Sequence, residues 1–270
     1  MTGARTSTLA ALRGTIAHAE RLTPAGTGPE RVPLGHGAVD EALQGGLARG
    51  ALHEVFADGG DGAAGTGFVA GLLARLAGGG RYALWVRQDF SARENGELSM
   101  SGLAELGLDP RRLVVVRAHD AEMALRVTAD GLACNALAAV VTEIWGETRA
   151  FDLVASRKLT LASAQSGVAS LMLRIAASPQ ASTAETRWIV RATRSPPEAA
   201  GTGFGAPVLD AHLVRNRRGP LGRWIMGWSG DEYRFRDAQT YSQPLAALPA
   251  DRPRSPLAEH GGGQKRRRAS

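Results

Sequence analysis

Leu52–Ala77, LHEVFADGGDGAAGTGFVAGLLARLA, is the stretch from which the rest of this chain is read. Apolar Leu52, Val55 and Phe56 suit a short buried strand, and Phe68, Val69, Leu72, Leu73 and Leu76 recur at helical spacing. A strand, a glycine-rich turn and a helix in that order are what a phosphate-binding loop requires, because glycine lets successive backbone N–H groups turn toward an anion at a helix N-terminus. The pattern G-x-x-x-x-G-K-[ST] places its glycines at Gly60 and Gly65. The next residues are Thr66 and Gly67, so the lysine that reaches the β- and γ-phosphates and the hydroxyl that holds Mg²⁺ are both missing. Gly60, Gly62, Gly65, Thr66 and Gly67 are therefore candidates for a degenerate nucleotide-binding loop. Taken alone, the same residues also fit a flexible surface loop.

The 270 residues, 44% of them apolar, suffice for one large α/β domain or two smaller ones. The formal charge of +6 is unevenly spread: residues 215–270 hold twelve basic and five acidic residues, and 1–214 hold twenty and twenty-one. A basic C-terminal fifth suggests contact with nucleic acid or an acidic surface, although charged tails also serve solubility. Cys134 is the only cysteine, which excludes an internal disulfide framework, and it is expected to pack within a helix. No apolar run is long enough to span a membrane, and Met1–Arg21 lacks the apolar core of a secretory signal. A cytoplasmic location is expected.

In chain order, Leu9, Leu12 and Ile16 mark an amphipathic helix over Thr8–Arg21, followed by a turn-rich linker to about residue 30. A core domain is expected over 31–241. After the glycine segment, strands are predicted at Tyr82–Val86, Leu113–Val116, Leu137–Val141, Val168–Ile175 and Arg187–Arg191. Helices are expected near Gly96–Leu106, at Ala121–Cys134 and at Asp152–Ser166. Alternation of this kind predicts βαβ units and a mainly parallel sheet flanked by helices. Ala211–Val214 and Trp224–Trp228 are predicted to close it as a C-terminal β-hairpin through Arg217–Pro220. The proline- and glycine-rich segment 242–270, ending in Lys265-Arg266-Arg267-Arg268, reads as a disordered basic tail. The five tryptophans are expected in the core.

Upstream of the first strand, Leu34, Gly35, Val39, Asp40, Leu43, Gly45, Gly46, Leu47 and Gly50 stand at the spacing of the segment that precedes the phosphate loop in RecA-type ATPases. Arg157-Lys158-Leu159 with Gln165-Ser166 is similar to the helix leading out of the first DNA-binding loop of that family. The resemblance implies a RecA-like P-loop NTPase core. It places Asp89 near the site of the glutamate that positions attacking water, where a solvated loop aspartate is an equal reading. It places Thr142, with Glu143 adjacent, at the Mg²⁺-associated aspartate, and Ile175 at the glutamine that senses the γ-phosphate. Val214-Arg215-Asn216-Arg217 resembles a segment whose two lysines reach a neighbouring subunit's nucleotide. Arg215 and Arg217 are thus candidate contacts to phosphate in trans or to a partner, or else cations on an exposed hairpin edge.

A second resemblance is more specific. LHEV (Leu52–Val55), ALWV (Ala83–Val86), EIWG (Glu143–Gly146), ASRKLTLASAQSGV (Ala155–Val168), TRWIV (Thr186–Val190) and LVRNRRGPLGRW (Leu213–Trp224) look like the ImuA family, RecA-like proteins of bacterial mutagenesis cassettes. Members commonly have an eroded phosphate loop. The resemblance implies an accessory role in damage-induced (SOS) translesion synthesis beside ImuB, a Y-family polymerase-like protein without activity, and an error-prone relative of the replicative polymerase α-subunit. RecA and DNA are further candidate partners, and the nucleoid a candidate location. No catalytic residue, metal or cofactor is expected, with Asp89 and Glu143 as vestiges and ATP with Mg²⁺ disfavoured. An active DNA-dependent ATPase and a modulator of RecA filaments are the alternatives.

Overall fold

A computed structural model describes residues 29–78, 80–195 and 206–238. The predicted helix Thr8–Arg21, most of its linker and the tail 242–270 lie outside the described residues.

In chain order the elements are β1 (Arg31–Val32), α1 (Gly37–Ala42), β2 (Leu47–Ala48), β3 (Leu52–Ala57), α2 (Gly62–Leu76), β4 (Tyr82–Gln88), α3 (Asp89–Asn95), α4 (Met100–Glu105) and β5 (Leu113–Ala118). They continue with α5 (Ala121–Leu132), β6 (Leu137–Trp145), α6 (Leu153–Ser166), β7 (Ala169–Ile175), β8 (Thr186–Ala192), β9 (Val208–Asn216), β10 (Gly222–Ser229) and β11 (Arg234–Asp237). Nine strands form one sheet in the order β11-β10-β9-β8-β3-β7-β6-β4-β5. The run β8-β3-β7-β6-β4-β5 is parallel throughout, and β9, β10 and β11 join it as an antiparallel meander.

Every residue of β3 and β7 is buried, which explains their near-continuous apolar sequences: helices cover both faces of a parallel sheet. On one face α2 packs Phe68, Val69, Leu72 and Leu73 against Val55, Trp85, Trp188, Trp228 and Phe235. On the other, α5 and α6 cover Leu52, Leu84, Val86, Val140 and Met172. Asp120 and Asp152 cap these two helices by accepting the N–H groups of Met123 and Ala155 at 2.7 Å each. Asp40 in turn accepts the N–H groups of Leu34 and Gly35, while Gly45 and Gly46 take positive φ. The glycine- and leucine-rich stretch before β3 thus folds as a packing module around buried Leu34, Val39, Leu43 and Leu47.

Several predicted features are corrected. Strand β6 runs past Val141 to Trp145, because Thr142 and Glu143 find buried partners and do not end it. The helix expected near Gly96–Leu106 is the short α4, Met100–Glu105, started by Ser99, whose hydroxyl accepts the N–H of Gly102; a further helix not expected from the sequence, α3, precedes it and ends at Gly96 (φ 74°). The C-terminal hairpin is longer than expected and gains β11, whose four residues contribute one buried side chain, Phe235. With so little apolar periodicity, β11 had no pattern to detect. Cys134 is exposed, since α5 ends at Leu132 and leaves it in the following turn. Among the tryptophans Trp85, Trp188 and Trp228 are buried, and Trp145 and Trp224 half-buried.

His53 is buried between the carbonyl of Ala48, 2.9 Å from Nε2, and Thr186 Oγ1, 2.8 Å from Nδ1. Because the carbonyl can only accept, Nε2 carries the proton and Nδ1 of the neutral ring accepts from the threonine hydroxyl. Burial pushes its pKa below the ordinary 6.5. The unfolded chain therefore binds more protons, so stability is present above pH 6.5 and is lost as the pH falls below it. Urea unfolding across this range is expected to show the loss in the wild type and to show less of it in His53→Gln. Within α2, nothing approaches the Cβ position of Gly67, whereas a methyl on Gly71 would stand 2.6 Å from Phe235 Cζ and 2.9 Å from Trp228 Cζ3. Gly67→Ala is expected to stabilise by about 0.5–1 kcal/mol, and Gly71→Ala to destabilise by roughly 1–2 kcal/mol after overpacking offsets the same helical gain. Opposite shifts in unfolding midpoint check both.

Candidate functional site

In an open α/β sheet, ligands bind beyond the carboxyl ends of the strands where the strand order reverses. Here that place is the end of β3, flanked by β7 and β8, and the glycine segment begins there. A short 3₁₀ turn over Gly59–Asp61 leads directly into α2 at Gly62. Gly62, Gly65, Thr66 and Gly67 are therefore helical residues, which corrects the expectation of a loop from Gly60 to Gly65. None of Gly59, Gly60, Gly62, Gly65 and Gly67 has positive φ. The segment lacks the alternating handedness that aims successive N–H groups at one anion.

What these glycines do instead is visible in their surroundings. A methyl on Gly65 would lie 2.8 Å from Ala57 Cβ and 3.2 Å from Leu173 Cδ1, so this glycine lets α2 sit directly on β3 and β7. A methyl on Gly62 would lie 2.8 Å from Asn95 Nδ2, which places the end of α3 over the first turn of α2. The Cβ position of Gly59 stands 3.7 Å from the Trp145 ring and from Ala176 Cβ. Asp61 accepts the N–H of Ala192 at 2.9 Å, tying the turn to the end of β8.

The acidic candidates are also engaged. Glu143 is fully buried and accepts from Trp85 Nε1 at 2.9 Å, from Arg87 Nε at 3.0 Å and from the Ser91 hydroxyl. Buried Arg87 also donates to the carbonyl of Gly96 at 2.7 Å. Both carboxylate oxygens of Glu143 are thus occupied, and the residue serves as the counter-charge of Arg87. Asp89 is the first residue of α3 and not a free loop aspartate; its Oδ1 pairs with Arg117 Nε at 2.9 Å. Hydrogen bonds from Arg117 to Glu97 and Asp89 raise the pKa of that guanidinium. Thr142 lies mid-strand, hydrogen-bonded to Thr128. Among the described residues, no group of three or more His, Cys, Asp or Glu side chains could hold a metal ion.

The segments after β6 and β7 are fastened together. Glu147 accepts the N–H of Ser178 at 2.7 Å and the Gln180 amide at 2.9 Å, and these bonds hold its carboxyl below the usual range. Ile175 is buried, and its carbonyl accepts the N–H of Gly146. Arg174, buried beside it, donates to the carbonyl of Gly146 at 3.0 Å, and desolvation lowers its pKa. Arg215 donates to the carbonyl of Ser182 at 2.9 Å, and partial burial with the like charges of Arg217 and Arg187 lowers its pKa. Arg217 is exposed. The exposed-edge reading is corrected for Arg215, because it sits on β9 between β8 and β10, whereas Arg217 lies past the end of that strand in the hairpin turn.

A cleft of about 500 Å³ opens at the opposite end of the strands, between the end of α2 and the starts of β4 and β5. Its arginines are held by main-chain carbonyls: Arg75 by Pro33 and Tyr233, Arg81 by Asn135 and Leu137, Arg112 by Gly80.

Glycine counting along the chain does not reveal the Arg87–Glu143 pair. A usable signal was present nonetheless. Each is a lone charge near the end of an apolar strand, and parallel pairing sets them in register.

The geometry defines an α/β protein with a large, mostly parallel central sheet flanked by helices, compatible with a RecA-like core. No protein-family model matches the chain. Curated relatives do: Protein ImuA of Caulobacter vibrioides, from strains NA1000 / CB15N and ATCC 19089 / CIP 103742 / CB 15, is 32% identical over 196 residues, covering 67% of this chain and 76% of the relative. The chain belongs to the ImuA family.

Glu143→Gln keeps an acceptor but removes the charge that balances Arg87. It is expected to cost about 3 kcal/mol, because buried Arg87 then keeps as counter-charge only the exposed Glu97, 3.7 Å from its Nη1. Asp89→Asn, at the surface, is expected to stay within about 0.5 kcal/mol. Urea denaturation of the two variants beside the wild type measures the contrast.

Proposed function

We propose that the protein is a non-catalytic accessory subunit of a damage-induced translesion synthesis complex, a RecA-like body used to hold partners. One observation carries the reading. Thr66 and Gly67 occupy the positions where lysine and a hydroxyl are needed, and the surrounding segment is drawn into α2 and seated against β3 and Asn95. A helix placed this way has neither the side-chain cation nor the looped backbone that phosphoryl transfer uses. The pairing of Glu143 with Arg87 supports the same reading, because a carboxylate committed to a buried guanidinium is poorly available to a metal or a water.

Family membership suggests the setting, a translesion mutagenesis cassette, and the partners proposed for it there are an inactive Y-family polymerase-like protein and an error-prone relative of the replicative polymerase α-subunit. The strand order and the helix that follows β3 support descent of the core from a RecA-like P-loop NTPase. In this reading the protein contributes surfaces and leaves polymerisation to its partners.

Purified protein is expected to release phosphate from ATP no faster than a buffer control, with or without single-stranded DNA and Mg²⁺. It is also expected to co-purify with the Y-family-like partner, and its deletion to lower damage-induced mutation. DNA-stimulated ATP turnover that is lost on Asp89→Ala would favour the ATPase reading and overturn this one.

A further inference from the structure

Helix α6 carries apolar side chains on its outward side as well as its inward one. It turns Ser156, Leu159 and Ser163 toward the protein, while Leu153, Val154 and Leu161 are 52%, 60% and 55% exposed. The inward side is held by small polar groups. Ser156 Oγ accepts the N–H of Thr183 at 3.2 Å, and the hydroxyls of Thr160 and Thr183 are 2.7 Å apart. Small residues also allow close approach: a methyl on Gly50 would stand 3.1 Å from the carbonyl of Ser163. These contacts account for how α6 is seated, but they give no reason for aliphatic side chains in water.

The outward side is ordered. Leu153, Val154, Arg157, Lys158 and Leu161 share one face at helical spacing. Arg157 and Lys158 are exposed and take part in none of the ion pairs formed among the described residues. Single exposed leucines are ordinary, but three large aliphatic groups on one helix face, interleaved with two cations that have no ion-pair partner among the described residues, have the make-up of an interface.

We infer that the outer face of α6 is a docking surface for an acidic amphipathic helix of a protein partner. Apolar anchors of such a helix would cover Leu153, Val154 and Leu161 while its carboxylates pair with Arg157 and Lys158. Charge selects this occupant over a second copy, since two-fold packing of α6 on itself sets Arg157 and Lys158 against their own like charges. The aliphatic groups select it over nucleic acid, which offers them little apolar surface and would gain only two phosphate contacts. The assignment deepens the accessory reading and rests on it for the existence of a protein partner.

The test uses the full chain and a synthetic acidic amphipathic peptide of roughly 18 residues, with leucines at i, i+3, i+4 and i+7 flanked by glutamates, beside a control with lysines for glutamates. Fluorescence anisotropy is expected to show saturable binding of the acidic peptide. The exposed double variant V154E/L161E and the charge reversal R157E/K158E are each expected to weaken it at least about tenfold with unchanged circular dichroism. Absence of binding at about 1 mM, equal binding of the lysine control, or equal binding by the variants would overturn the inference. Leu161→benzoylphenylalanine cross-links formed with the purified cassette partners present locate the natural occupant. Mapping by mass spectrometry to an acidic helical segment of a partner supports it. Mapping to residues 1–28 of the same chain, to a second copy or to added single-stranded DNA refutes it. Co-purification separates the two readings: wild type that binds its partner as V154E/L161E does overturns only the α6 assignment, whereas wild type that binds neither cassette partner counts against the accessory role itself.

Discussion

Helix α2 lies closer to the sheet than a helix with larger side chains could, and much of the fold depends on that closeness. Gly65 rests on Ala57 and Leu173, and Gly71 rests on Phe235 and Trp228. Between them Phe68 meets Trp188 at 5.4 Å and Phe235 at 5.3 Å between ring centroids. These aromatic groups come from β8, β10 and β11, so the antiparallel strands are held to the parallel core through the notches in one helix. Close packing makes such notches specific, because an added methyl has no space to enter without moving an aromatic ring.

The same constraint bears on chemistry. A phosphate loop needs glycines for their positive φ and open N–H groups; a seated helix needs them for the absence of Cβ. Both uses leave similar letters in a sequence. In this protein the second use is the one visible, and carboxylates on the neighbouring strands are committed to buried ion pairs. Glu143 neutralises Arg87 and Glu54 pairs with Arg187 at 2.6 Å, each acid fully buried. Such pairs add little net stability over apolar substitutes, but breaking one strands a charge, which holds the paired strands in a single arrangement.

The parallel strands were legible because burial on both faces forces unbroken apolar runs such as Ala83–Val86 and Leu171–Leu173. The helix expected over Asp152–Ser166 was legible to within a residue, and the structure shows why its limits fall there: Asp152 caps its start and Gly167 takes the left-handed conformation at its end. The end of β6 was misread because Thr142 and Glu143 look like strand-terminating polar residues until their partners on α5, β4 and α3 are known. Strand β11 was missed because a single inward phenylalanine is no pattern. At the candidate site, Asp89 and Glu143 were located in sequence, yet their pairing with Arg117 and Arg87 depends on strand order.

By itself the sequence determined the α/β alternation, the missing lysine and hydroxyl at Thr66 and Gly67, and the motifs shared with the ImuA family, since each follows from residue type and spacing along the chain. Only the tertiary structure decided that α2 begins at Gly62, that Glu143 is the counter-charge of Arg87, and that α6 turns aliphatic groups outward. Those outcomes depend on which surfaces meet across the sheet, and distance in space is a quantity that local spacing does not carry.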